Sequence, residues 1–269
     1  MARWIALIVA VALFLLPFYL IVRDALSTET DIVSPTWRFF PHSLRWSNVK
    51  EVFDDPSVPF ARSLLNSLIV AVLQTGGQIV IAGLAGYGLA RIPYRWSNTV
   101  FYSIIATLMI PSAVTFVPSF VLVSYFHWIS TLQGIIVPVL FSGFSAFLFR
   151  QYFLNFPREL EEAGRVDGLG YLGAFWRIVI PNSLGFVAAI AVIDFVVSWN
   201  SFLWPLVVGS GYAGSYTVQV ALSSFVTAQN VRLHELFMAA GISIVPLVLV
   251  FVFLQRYLVE GVAQTGIKG

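Results

Sequence analysis

Long apolar runs separated by short polar segments dominate the chain. Runs of membrane-crossing length recur near 4–22, 63–90, 98–122, 134–153, 182–208 and 236–258. A helix needs roughly 20 apolar residues to cross a hydrocarbon core. A membrane strand instead alternates apolar and polar positions over roughly ten residues, so continuous apolarity predicts helices and not a barrel. The second and third runs exceed the required length, which predicts tilt or extension past the bilayer. The expected fold is all-α: a polytopic membrane protein with about six transmembrane helices, forming one domain over 1–269.

Composition sharpens this. Of 269 residues, 58% are hydrophobic and only 10% charged, with a mean hydropathy of +0.86. A solvated surface takes about a quarter charged residues, so an ordinary soluble domain is excluded and the lipid bilayer is the expected surrounding. A net charge of +2 without a basic cluster gives no nucleic-acid footprint. Cysteine is absent, which excludes disulfides, thiolate metal sites and a cysteine nucleophile. His42, His127 and His234 are scattered without ligand spacing, so no metal is expected. The first run, Trp4 to Val22, exceeds the ~7–15 residues of a signal-peptide core. Arg23, Asp24 and Ala25 follow it instead of a small-residue cleavage site. It is expected to be a retained span.

Basic residues suggest an orientation. With the amino terminus inside, the inner segments hold Arg3, Arg91, Arg95, Arg150, Arg158, Arg165, Arg177, Arg256 and Lys268. The outer segments hold Arg23, Arg38, Arg45, Lys50, Arg62 and Arg232, mostly in the loop 23–62, where acidic residues accompany them. The asymmetry favours both termini in the cytoplasm. The outer loop 23–62 carries Pro35, Pro41, Pro56 and Pro59 among aromatics and is expected to form an ordered cap.

The inner polar segment 154–181 is the most informative stretch. Pro157 suits a first helical turn, and Glu159, Glu161 and Glu162 place negative charge where the helix dipole favours it. Gly164 and Gly168, four apart, would leave one helical face free of side chains for another protein to approach. A second helix is predicted through Phe175 and Ile178 until Pro181 stops it.

Glu162, Ala163 and Gly164, then Gly168, then Ile178, Ile180 and Pro181 resemble the EAA loop of binding-protein-dependent ABC importer permeases. Gly164 stands for the pattern's second alanine and Ile180 for its leucine. The likeness extends over nearly the whole chain and points to the sugar-permease branch, the maltose-permease-like second subunit. Asn66 to Val70 and Leu84 to Arg91 resemble its second span. Met109-Ile110-Pro111 and Phe149-Arg150-Gln151 resemble landmarks of the next two, and Trp199 to Leu206 its fifth. Gln255 to Tyr257, Glu260-Gly261, Gly266 and Lys268-Gly269 resemble its carboxyl terminus.

The resemblance implies the type I permease fold, with the EAA loop as a cytoplasmic coupling helix. It further implies a second permease subunit completing the pore, two ATPase subunits and an extracytoplasmic solute-binding protein, with a sugar-like substrate. This chain has no Walker A sequence, so it is expected to be no enzyme and to hold no cofactor; ATP and Mg are expected in the partner ATPase. Glu161, Glu162, Ala163, Gly164 and Gly168 are the expected coupling contact. For the translocation path the candidates are Asp194, Trp199, Asn200 and Trp204. Asp194 is a carboxylate inside an apolar run, costly enough to suggest function, although an interhelical hydrogen bond would equally retain it. Trp199 and Trp204 could pack on sugar rings and Asn200 could pair with hydroxyls, or the tryptophans could anchor at the interface. An ATP-independent secondary transporter or channel is the alternative reading. A membrane-embedded enzyme would need convergent polar groups that the spans do not supply.

Overall fold

The computed structural model describes residues 1–209, 211–226 and 231–265. The carboxyl-terminal residues 266–269, which carry part of the family likeness, lie outside them.

Helix α1 (Ala2–Ala25) has no charge between Arg3 and Arg23, and its apolar side chains are exposed as a lipid-facing helix requires. Short helices α2 (Glu29–Ile32) and α3 (Ser47–Asp54) structure the polar loop that follows. The 32 residues of α4 (Phe60–Arg91) reach about 48 Å at 1.5 Å per residue. That exceeds a hydrocarbon core of about 30 Å, as the over-long second run implied.

The third run is not one straight span. It breaks into α5 (Ser97–Leu108) and α6 (Ser112–Tyr125), which meet at 97°. Pro111 opens α6 and, as a proline, disfavours a helical residue before it, so the turn falls at Met109–Pro111. The fourth run also breaks, by 43°, between α7 (Leu132–Ile136), continued by a 3₁₀ turn at Val137–Val139, and α8 (Gly143–Leu154).

Helices α9 (Arg158–Val166) and α10 (Tyr171–Ala174) follow, and Phe175–Val179 forms a π-helical turn where a plain α-helix was predicted. A 3₁₀ turn at Pro181–Ser183 leads into α11 (Leu184–Trp199). The fifth run is thus interrupted at Asn200 before α12 (Leu203–Gly209). Helix α13 (Val218–Ser224) and the long α14 (Leu233–Thr265) complete the described chain. Among the described residues, four helices are long and apolar enough to cross a membrane, or up to six spans if each bent pair counts as one.

The chain divides into two compact units. The first comprises Met1–Ser67 and Tyr212–Val248. Here the outer loop is ordered by buried polar ties. Asn48, fully buried, donates to the carbonyls of Ala25 and Ser27, each at 2.9 Å. Glu29 accepts from the backbone N–H groups of Leu233 and His234, both at 3.3 Å, and so caps the start of α14. His234 Nδ1 also lies 2.7 Å from Glu29, and Arg232 pairs with Asp55. Histidine 234, which showed no role in the sequence, ties α14 to this loop.

The second unit comprises Leu68–Gly211 and the segment from Leu249. Its core is aromatic: Tyr87 from α4, Phe149 and Phe153 from α8, and Phe175 from the π turn, with Ala82, Val179 and Ile190. Where α7 breaks from α8, the freed carbonyls of Ile135 and Val139 accept from Gln74 (3.0 Å) and Gln78 (2.7 Å) of α4. No lipid group could satisfy those carbonyls, so the break depends on the two amides.

Candidate functional site

The site is built around α9. Phe156, buried in the aromatic core, fixes where the helix starts, and Pro157 takes its N-cap position with φ −58°. Glu159 and Glu161 lie in the first turn, favoured by the dipole, and Arg165 lies in the last. Gly168 follows the C-cap Asp167 with φ +83°. Its N–H donates to Arg165 O at 3.0 Å, and the N–H of Leu169 donates to Gly164 O at 2.9 Å. This pair of bonds is the Schellman ending, and it requires a residue free to adopt positive φ. Gly168 therefore does not share a helical face with Gly164. It terminates the helix.

The two faces of α9 differ sharply. Glu161 is 4% exposed and Gly164 is buried. A Cβ on Gly164 would stand 2.3 Å from Ile178 Cδ1, so Gly164 packs directly against the segment before Pro181. Glu162, Ala163 and Val166 are exposed, Val166 at 89%. With Glu159 they recur at helical spacing and form one outward face. Of the predicted coupling residues, then, Glu162, Ala163 and Gly168 reach the surface while Glu161 and Gly164 point inward.

Glu161 meets two residues that the sequence reading did not assign to the site. Tyr87 OH donates to Glu161 Oε2 at 3.0 Å, and Arg91 Nε lies 3.0 Å from Oε1. The Arg91 N–H bond is not aimed at Oε1, so this contact is a charge pair and not an aligned hydrogen bond. Another Arg91 N–H donates to the carbonyl of Phe156. Tyr87 and Arg91 are four residues apart on α4, and that i,i+4 spacing was the one available hint that they share a face. Beside this cluster a cavity of about 430 Å³ opens between α9 and the turn after α4, bordered by Arg91, Tyr94, Ser97, Arg158, Glu162 and Arg165.

The other candidates lie elsewhere in the same unit. Asp194 on α11 is 6% exposed, and Ser145 on α8 lies 3.0 Å and 3.2 Å from its two carboxylate oxygens. Ser145 is also near the N-terminus of α8, where the dipole favours a negative partner. Trp199 is 2% exposed and stacks on Phe195 at 5.8 Å. Asn200 is exposed and donates to Val196 O at 2.9 Å. Trp204 is half-buried, with Phe116 edge-on at 5.5 Å.

Comparison with known proteins places this geometry in context. Residues 78–264 match the family described as binding-protein-dependent transport system inner membrane component. The sn-glycerol-3-phosphate transport system permease protein UgpE of Yersinia pestis is 30% identical over 267 residues, 97% of this chain and 95% of that protein. The arabinooligosaccharides transport system permease protein AraQ of Bacillus subtilis is 29% identical over 259 residues, covering 96% and 92%. A crystal structure of a bacterial ABC transporter involved in the import of the acidic polysaccharide alginate contains a chain with the same fold. Its TM-score is 0.80 at 21% identity, covering 95% of this chain and 96% of that one.

Proposed function

The chain belongs to the family of binding-protein-dependent transport system inner membrane components, and from that premise we propose that it couples through α9 to a separate ATPase and imports a sugar or sugar-like solute. Membership makes it a multi-pass permease subunit of an ABC importer, a transport component and not an enzyme. The relatives are permease proteins for sn-glycerol-3-phosphate and for arabinooligosaccharides, which supports a polyol- or sugar-like solute. A second permease subunit, two ATPase subunits and a solute-binding protein complete the proposed assembly. ATP and Mg belong to the ATPases, and both termini of this chain face the cytoplasm.

One observation carries the coupling assignment. The outward face of α9, formed by Glu159, Glu162, Ala163 and Val166, is left uncovered, while Glu161 and Gly164 on the opposite side are buried. A docking element needs that combination: rigid behind, open in front. In Gly168 the chain has the residue that ends this element sharply. For the path, a pore between two subunits must be lined by groups exposed on the isolated subunit. Asn200 meets that condition and Trp204 meets it in part, whereas Asp194 and Trp199 are committed to contacts within this chain.

The test is reconstitution of the assembly with its binding protein in proteoliposomes. Solute uptake should require ATP and should fall when Glu162→Arg and Val166→Asp are introduced on the outward face. Uptake by this chain with no ATPase present would sink the reading and favour a secondary transporter.

A further inference from the structure

We propose that Glu161, Arg91 and Tyr87 form a latch that makes α9 and the adjoining end of α4 a single rigid lever. This rests on the reading of α9 as the coupling helix. It gives Glu161 a positioning role inside the chain in place of a contact with the ATPase.

The geometry leaves Glu161 little freedom. Its side chain and that of Arg91 are each only 5% exposed, and both carboxylate oxygens are engaged, Oε1 by Arg91 and Oε2 by Tyr87. Arg91 also holds the Phe156 carbonyl, immediately before the Pro157 that caps α9. One guanidinium thus grips both the entry to the helix and its first turn. Tyr87 is itself fixed: 2% exposed, edge-on to Phe153 at 5.8 Å and tilted against Phe175 at 5.2 Å.

A buried ion pair is a poor way to gain stability, because desolvating two charges offsets most of their attraction. An apolar pair would pack α9 equally well. What the charges and the phenol add is resistance to sliding. Helix α9 is bounded by the turn at Asn155–Pro157 on one side and the Gly168 turn on the other. Without the latch, force applied to Glu162 and Val166 could roll the helix about its own axis. With the latch, the same force displaces α4. Coupling needs an element that moves as a body, because small displacements are carried by rigid packing and not by deformable turns.

The experiment uses the purified assembly with its binding protein in proteoliposomes and measures solute imported per ATP hydrolysed. Glu161→Ala should lower that ratio about tenfold, within the 5- to 150-fold range of ordinary coupling energies. Tyr87→Phe, which keeps the ring packing, should lower it by a smaller factor. The decisive variant is Glu161→Leu combined with Arg91→Met, which restores an apolar contact in place of the charges. The latch requires this double variant to assemble yet remain inefficient. A merely structural role requires it to recover the native ratio, and that result overturns the proposal.

A second readout is independent of transport. The chain has no native cysteine, so spin labels at Leu73→Cys on α4 and Leu160→Cys, exposed on α9 outside the docking face, report one distance. It should stay narrow with and without ATP in the native background and broaden in Glu161→Ala. An unbroadened distribution overturns the latch. If the native chain assembles with no ATPase, the coupling reading fails and takes the latch with it. If it assembles and the ratio never changes, the latch fails alone.

Discussion

A methyl group placed on Gly86 of α4 would stand 2.7 Å from the backbone nitrogen of Arg150 on α8 and 2.6 Å from Phe149 Cβ. The two helices meet backbone against backbone, and neither of these atoms can rotate away. Small residues permit such close approach between membrane helices, where packing and not hydrophobicity drives association. Gly83, one turn earlier on α4, differs: a Cβ there would make only ordinary contact, 3.5 Å from Phe175 Cζ.

Gly86→Ala should therefore destabilise the aromatic core that holds α9, by about 1–3 kcal/mol or more because backbone must move. Gly83→Ala should be close to neutral. Thermal melting of the two variants in detergent separates them. A melting temperature for Gly86→Ala equal to that of Gly83→Ala would contradict the close approach.

The glycines at the end of α9 should respond differently to the same substitution. Gly168 sits at φ +83°, so Gly168→Ala should cost about 1–2 kcal/mol with no clash involved. Gly168→Asn should cost less, since asparagine tolerates that region. At Gly164 the nearest atom to a new Cβ is the terminal methyl of Ile178, which can turn aside. Relief of glycine's helix penalty, about 0.5–1 kcal/mol, should then leave Gly164→Ala nearly neutral, whereas Gly164→Trp should displace the helix. Protease sensitivity of the 154–181 segment would report both effects.

The apolar runs made the long helices legible, because α1, α4 and α14 are bounded by charges or polar turns in the sequence itself. The breaks were not legible. Pro111 and Pro138 lie in apolar surroundings where continuous hydrophobicity reads as continuous helix, and only the structure bends the chain by 97° at the first of them. On the site, the exposed Glu162 and Ala163 followed from a local motif. The partners of Glu161 did not, because Tyr87 is 74 positions away and no local pattern says which helix face will meet α9. Gly168 was readable as important, but its role depended on where α9 ends, the least certain feature of any sequence-derived helix.

The break between α7 and α8 offers a test of polar satisfaction in lipid. Gln74→Leu would leave the Ile135 carbonyl without its amide donor, and Gln78→Leu would do the same for Val139. Each loss should cost about 1–3 kcal/mol, the price of an unsatisfied buried group. Gln74 also accepts from Ser198 on α11, so Gln74→Leu should be the more damaging of the two. Folded yield in detergent and melting temperature would show the order. Equal tolerance of both variants would mean that the carbonyls find other donors.

The polar ties of the outer loop should weaken in acid. Burial alone would raise the Glu29 carboxyl, but bonds from the His234 side chain and from the backbone N–H groups of His234 and Leu233 outweigh it and hold the group below its ordinary 4.5. Burial likewise acts upward on Asp55, and bonds from Ser57 and Arg232 bring it below 3.8. A carboxylate whose value is lowered by folding stabilises the fold above its unfolded value, and that contribution disappears as the pH falls through the lowered one. The contribution should therefore be constant from neutral pH down to about 5 and decline below about 4.5. Melting curves collected from about pH 7 to about pH 3.5 should show the decline in the native chain and a shallower one in Glu29→Gln. An identical slope in both would mean that the cap on α14 contributes nothing to acid sensitivity.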